Sequence, residues 1–192
     1  MNLTKILTVV FILISLGLAY FLTDSIKTDI EEEGRIANIE AQIINKLKMI
    51  RDAQVAYQAV NGNYTSDWDK LISFVDTGRI YITQRREHII TLEYGADSVA
   101  VEIDTLGTVS VKDSLFSAQK YPNFDLQRLP YVPGSEKEFE IYADELNKSG
   151  VNVDVFEVKD PDPINPLRKA KTGRGPLRVG SRTEVTTAGN WE

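Results

Sequence analysis

The run from Ile6 to Thr23, ILTVVFILISLGLAYFLT, carries no charge and is almost wholly apolar. About 18 residues at 1.5 Å rise span roughly 27 Å as a helix, close to the ~30 Å hydrocarbon core of a bilayer. Such a segment either stays in lipid as a helix or is removed as a signal sequence. Lys5 supplies the positive flank that both fates use, and Gly17 and Ala19 are small residues of the kind that precede a cleavage site. The run exceeds the usual ~7–15-residue signal core, and no turn-forming break follows it. Residues 1–23 therefore read as an uncleaved transmembrane anchor, buried in the bilayer through residues 6–23.

The flanks set the expected orientation. Lys5 precedes the span, whereas Asp24, Asp29, Glu31, Glu32 and Glu33 crowd the far side together with Lys27 and Arg35. Basic residues favour the cytoplasmic side. The expectation is a cytoplasmic N-terminus in the inner membrane and a C-terminal body in the periplasm or outside the cell.

Composition narrows the chemistry available to that body. With 22 Lys+Arg against 28 Asp+Glu the net charge is -6, which lacks the basic footprint of a nucleic-acid binder. The absence of Cys removes disulfide frameworks, thiolate zinc sites and thiol nucleophiles. A single His, His88, removes metal sites that need two imidazoles. Neither a phosphate-cradling Gly loop nor a Gly-x-Ser-x-Gly elbow occurs. Asp97, Glu102 and Asp104 lie near a strand pair and read as a solvated face, and His88 as a polar strand residue. No catalytic residue, cofactor or metal site is expected.

Beyond the anchor the periodicity stays helical. Ile36, Ile39, Ile43, Leu47, Ile50, Ala53 and Tyr57 recur at steps of three or four, one face of an amphipathic helix over residues 24–61. Its acidic start, Ile26 to Glu33, suits a stalk; from Ile36 onward the wider apolar face suits a core. Asn61-Gly62 stops it, because both residues tolerate the left-handed C-cap. Ser66 or Asp67 can cap a second helix carrying Trp68, Leu71, Ile72, Phe74 and Val75, which ends near Thr77-Gly78. Short strands are expected at Arg79–Thr83, His88–Tyr94, Ser98–Asp104 and Thr108–Lys112, with a turn at Leu106-Gly107, as an antiparallel meander. Lys120–Gly134, broken by three prolines, reads as a surface connection. A second hairpin spans Glu138–Leu146 and Val151–Val158, with Ala143–Leu146 open to either strand or helix.

Residues 159–192 differ in character from the extracytoplasmic head, residues 62–158. The tail holds seven basic and four acidic residues, +3, and leaves -9 on residues 1–158. Its Gly, Pro and low apolar content predict an extended segment. Arg168, Lys169, Lys171, Arg174, Arg178, Arg182 and the terminal Trp191 are the candidate docking residues. They would meet an acidic partner, an anionic surface or the chain's own acidic body. Deleting residues 167–192 is accordingly expected to weaken a partner contact and leave the head folded.

The passage AQVAYQAVNGNYTSDWDKLISFV, from Ala53 to Val75, resembles the helix-to-loop passage of pseudopilins, notably the major pseudopilin of type II secretion, and of type IV pilin-like proteins. Ala53, Ala56, Tyr57, Gly62, Tyr64, Leu71 and Val75 occupy matching places, and the order of elements agrees over about residues 5–112. The resemblance implies an N-terminal hydrophobic helix, an amphipathic stem, an antiparallel sheet and a role in an envelope-spanning machine. Three departures stand against it. No Gly-Phe-type cleavage site precedes the apolar run, no Glu occurs before Glu31, and Thr65 replaces the family's usual Pro. Prepilin processing, and filament assembly guided by that Glu, are therefore not expected.

Together these features predict an α+β chain: a single transmembrane helix running into a long amphipathic helix packed on a small antiparallel sheet, with a second hairpin and an extended tail. The expected role is a non-enzymatic structural or assembly subunit of a bacterial secretion, pilus-like or motility complex. Its partners would be other membrane or envelope proteins, in a homo- or hetero-oligomer. The alternative is an anchored extracytoplasmic binding module or enzyme acting on cell-wall or surface polymers.

Overall fold

The computed structural model describes residues 3–91, 97–169 and 173–192. The chain is α+β: a long N-terminal helix, α1 (Leu3–Asn61), precedes two small antiparallel sheets. It divides into two compact units, Met1–Gln42 and Ile43–Glu192.

The first unit is helix. Its apolar residues Phe11, Leu13, Leu16, Leu18, Phe21 and Leu22 are exposed, and none of its most apolar stretch is buried by protein. A helix apolar all round has no face to offer an aqueous core, and lipid is the solvent that suits it. By length and composition it can cross a membrane as a single anchor, or serve as a signal sequence. Thr23 and Thr28 return their hydroxyls to backbone oxygens one turn back, a bond that removes a donor from competition with the helix. Gly34 interrupts nothing, and Arg35 pairs with Glu32 one turn earlier at 2.7 Å.

In the second unit the expected stripe is the buried face of α1. Ile43, Leu47, Ile50, Ala53 and Ala56 are buried, the first four almost completely. Each fully buried Leu or Ile contributes about 1.5–3 kcal/mol of transfer free energy. The polar member of this face is Gln54, fully buried, whose amide donates to the Thr65 carbonyl at 2.6 Å and accepts from the Thr65 amide at 3.2 Å. That pair of bonds satisfies two buried backbone groups and fixes the loop after the helix. Lys46 donates to the carbonyls of Arg128 and Tyr131, and burial lowers its pKa. The helix closes at Gly62, whose φ of 85° suits only glycine comfortably.

Helix α2 (Trp68–Thr77) starts on Asp67, whose carboxylate accepts from the amides of Asp69 and Lys70. Leu71 and Val75 bury its inner face, and Phe74 meets Tyr57 of α1 edge to face at 5.2 Å. Strands β1 (Arg79–Thr91) and β2 (Asp97–Ser110) follow, then a short helix, α3 (Val111–Leu115), and a 3-10 turn at Leu126–Arg128. Strands β3 (Glu140–Lys148) and β4 (Val151–Lys159) form the second hairpin, which settles Ala143–Leu146 as strand. Their loop is Ser149-Gly150, with φ of 55° and 85°, the pair of left-handed residues that a two-residue type I′ turn requires.

Three sequence expectations need correction. The four-strand meander is two long strands, and Leu106-Gly107 is no turn: pairing slips between Ile82 and Thr83, so that Leu106 is the extra residue of a β-bulge. The Lys120–Gly134 connection runs through the core, because Leu126, Leu129, Pro130 and Val132 are buried between the prolines. The tail is not extended but folded. After helix α4 (Pro166–Lys169), Arg178–Gly180 adds strand β5 to β4, giving the order β3-β4-β5, and Leu177 and Val179 are fully buried.

Candidate functional site

The least covered part of the second unit is the β1–β2 ribbon. Register fixes its two faces, because directly opposed residues share a face and neighbours along a strand alternate. Beyond the bulge, one face carries Thr83 with Thr105, Arg85 with Ile103, Glu87 with Val101, and Ile89 with Val99; Tyr81 and Thr108 extend it toward the base. The other carries Gln84 with Asp104 and Arg86 with Glu102, with His88 beyond them.

The second face is held by polar pairs. Arg86 lies 3.6 Å from Asp104 and donates to Gln84 at 3.3 Å, and His88 sits 3.3 Å from Glu102. Glu102, Asp104 and His88 thus have the solvated surface role expected for them, while the side chain of Asp97 falls outside the described residues. The first face is apolar and uncovered. Ile89 is 73% exposed, Ile103 65%, Tyr81 62%, Val99 56% and Val101 46%. Its one described ion pair, Arg85 with Glu87 at 2.8 Å, lies within a single strand.

An isolated two-stranded ribbon is marginal in water, and a contiguous exposed apolar patch on a folded protein marks an interaction surface. Edge strands of this length also invite pairing with another chain. In the sequence Asp97, Glu102, Asp104 and His88 near this ribbon read as surface residues, and no ribbon residue was among the docking candidates. The usable signal was the absence of Pro or an Asn-Gly step between Arg79 and Thr91, which permits one long strand where two short ones were expected.

Two of the tail residues expected to dock a partner, Arg178 and Arg182, hold the tail to its own body, and Arg168 and Lys169 bond within the tail. Glu157 on β4 is buried and accepts from Arg178 Nη1 at 3.0 Å and from Arg182 Nε at 2.8 Å. The Arg182 guanidinium also lies 4.6 Å from the Tyr142 ring centroid. Arg168 is buried and donates to the Gly175 carbonyl. Lys169 pairs with Asp162 at 2.8 Å, and Lys137 joins it at 2.7 Å; the two ammonium groups hold the Asp162 carboxyl down at about 2. Trp191 is half-buried, its indole N–H without a hydrogen-bond partner among the described residues, and Glu192 reaches Arg51 of α1 at 2.8 Å. Arg174 is exposed. Lys171 lies outside the described residues. Of the three destinations weighed for the tail, its own acidic body is the one observed.

Asp160 begins this latch and is 2% exposed. It accepts from the Asp162 amide at 3.0 Å, yet burial raises its pKa, with Asp162 adding to the rise and Lys169 and Lys137 opposing it. A carboxyl that protonates more readily folded than unfolded contributes stability at low pH, which is lost as pH rises from the unfolded value of 3.8 through the folded one. Asp160→Asn keeps the acceptor and removes the buried charge. The expected result is a higher melting temperature at pH 7 than wild type, with the difference shrinking toward pH 4.

Tyr64 and Trp68 cover the core after α1, as expected: the Tyr64 ring lies 4.6 Å from Phe156, and the Trp68 indole donates to the Phe139 carbonyl at 3.3 Å. Beside Tyr64, Asp154, Val155, Val185 and Thr186 line an open cleft of about 350 Å³. No protein-family model, no curated protein and no solved structure matches this chain.

Proposed function

We propose that this chain is a non-enzymatic, single-pass assembly subunit of a bacterial cell-envelope machine, working through protein–protein contacts. The observation that carries the reading is the apolar face of the β1–β2 ribbon, exposed at Tyr81, Ile89, Val99, Val101 and Ile103 with no cover from its own chain among the described residues. Such a face is unfavourable in water and is stabilised by a partner. The exposed apolar helix supports anchorage, and Lys5 ahead of it supports a cytoplasmic N-terminus with the body in the periplasm or outside the cell. The helix-to-loop passage around Tyr57, Gly62 and Tyr64 supports a secretion- or pilus-like setting by resemblance alone.

Trimming the ribbon tests this reading. Joining Ile82 to Gly107, which are opposed in the register, through a two-residue Asn-Gly turn leaves the base pairs Arg79–Ser110 in place. The trimmed chain should melt within a few degrees of wild type, because ribbon residues beyond the base bury little. Extracted in mild detergent, it should migrate on native gels well below the wild-type complex. An unchanged complex would place the contact elsewhere.

A further inference from the structure

We propose that the apolar face of the β1–β2 ribbon pairs with the same face of a second copy of this chain. The inference rests on the assembly reading and names its partner. Two features of the face commit it to itself rather than to an acidic, basic or lipid surface.

The first is charge. Beyond its base, where Arg79 donates to Thr108, the face holds among the described side chains one cation, Arg85, and one anion, Glu87, one row apart at its middle. It is therefore neutral but polarised along the strand. A two-fold axis lying in the contact plane, across the strands and between these rows, sets Arg85 of each copy over Glu87 of the other. The same operation sets Ile103 over Val101, and Thr83 and Thr105 over Ile89 and Val99. The Arg85 and Glu87 rows then meet each other's charges and Ile103 meets Val101, each contact made twice as in an isologous interface.

The second is size. Ten residues of each strand at about 3.4 Å, across a two-stranded width near 10 Å, give a footprint of roughly 340 Å² per copy and 700 Å² in total. That is below the ~1,000 Å² of a free-standing specific interface. Two copies anchored in one bilayer meet at a raised effective concentration, which lets so small a contact hold. The product is a two-layer, four-stranded contact, with the sheets about 10 Å apart and aligned within roughly 30°.

Charge exchange tests the pairing on the full chain in lipid vesicles, with pairing read by energy transfer between donor-labelled and acceptor-labelled copies. Wild type should be a dimer. Arg85→Glu and Glu87→Arg should each weaken it at least about tenfold, since each sets like charges against each other. An equimolar mixture of the two variants should dimerise again, because each supplies the charge the other lacks; loss of ribbon structure could not be rescued this way. The chain has no cysteine, so Val101→Cys copies mixed with Ile103→Cys copies should be joined by a short bis-maleimide that spans the gap between the sheets, whereas Arg86→Cys and His88→Cys copies should not. A monomeric wild type, or a mixture that stays monomeric, overturns self-pairing. If a photocrosslinker at position 103 then captures a different protein in native membranes, the assembly reading survives with another partner. If it captures none, both fail.

Discussion

Deleting residues 167–192 should unfold the body, not merely cost it a partner. The deletion removes Leu177 and Val179, both fully buried, at about 1.5–3 kcal/mol each. It also strips Arg178 and Arg182 from Glu157, and a buried carboxylate left without its cations costs about 3–5 kcal/mol. The sum is comparable with the whole ~5–15 kcal/mol stability of a typical domain. In detergent the deletion variant should lose the cooperative thermal transition that the full chain shows by circular dichroism. The double substitution Arg178→Ala with Arg182→Ala isolates the charge part and should lower stability by the same 3–5 kcal/mol, with Glu157→Gln milder than either. A deletion variant that melts like wild type would mean that β5 adds nothing to β4. This expectation reverses the one drawn from the tail's composition, and the reason is local: composition averages over Gly and Pro, whereas Val179 on a three-residue strand and Leu177 just before it decide the outcome.

The second large effect concerns the N-terminal helix. Wild-type protein should stay in the membrane pellet after alkaline extraction, and its intact mass should include the segment through Thr23. Leu13→Arg with Leu16→Arg should release the chain into the soluble fraction, since each Arg near the helix centre costs about 2.5–3.5 kcal/mol on insertion. A mature chain shortened after Ala19 would make the helix a signal sequence instead. The exposure of Phe11, Leu13, Leu16 and Phe21 on all sides motivates the prediction.

The elements legible in the sequence are those whose signals are local. The stripe Ile43, Leu47, Ile50 and Ala53 follows the helical period, and Asp67, Gly62 and Ser149-Gly150 mark caps and turns within a few residues of what they terminate. The ribbon and the tail were not legible, because their meaning lies in distant partners. Alternation at Val99, Val101 and Ile103 reports that one face differs from the other but not whether protein covers it. Two short expected strands merged because His88, Arg86 and Gln84 look like an interruption in sequence, and become a continuous polar face only when Glu102 and Asp104 stand opposite. Likewise Arg178 and Arg182 look free until Glu157, more than twenty residues earlier, is seen buried beside them. A cluster of tail cations therefore reads as a docking patch in the sequence and acts as a latch in the fold.

Crosslinking in native membranes tests the assembly role most directly. A photoreactive residue at position 103, on the apolar face, should yield a discrete adduct with protein on irradiation. The same residue at position 86, on the charged face, should yield little. Equal labelling at both positions, or only lipid adducts at 103, would contradict the role assigned to this ribbon.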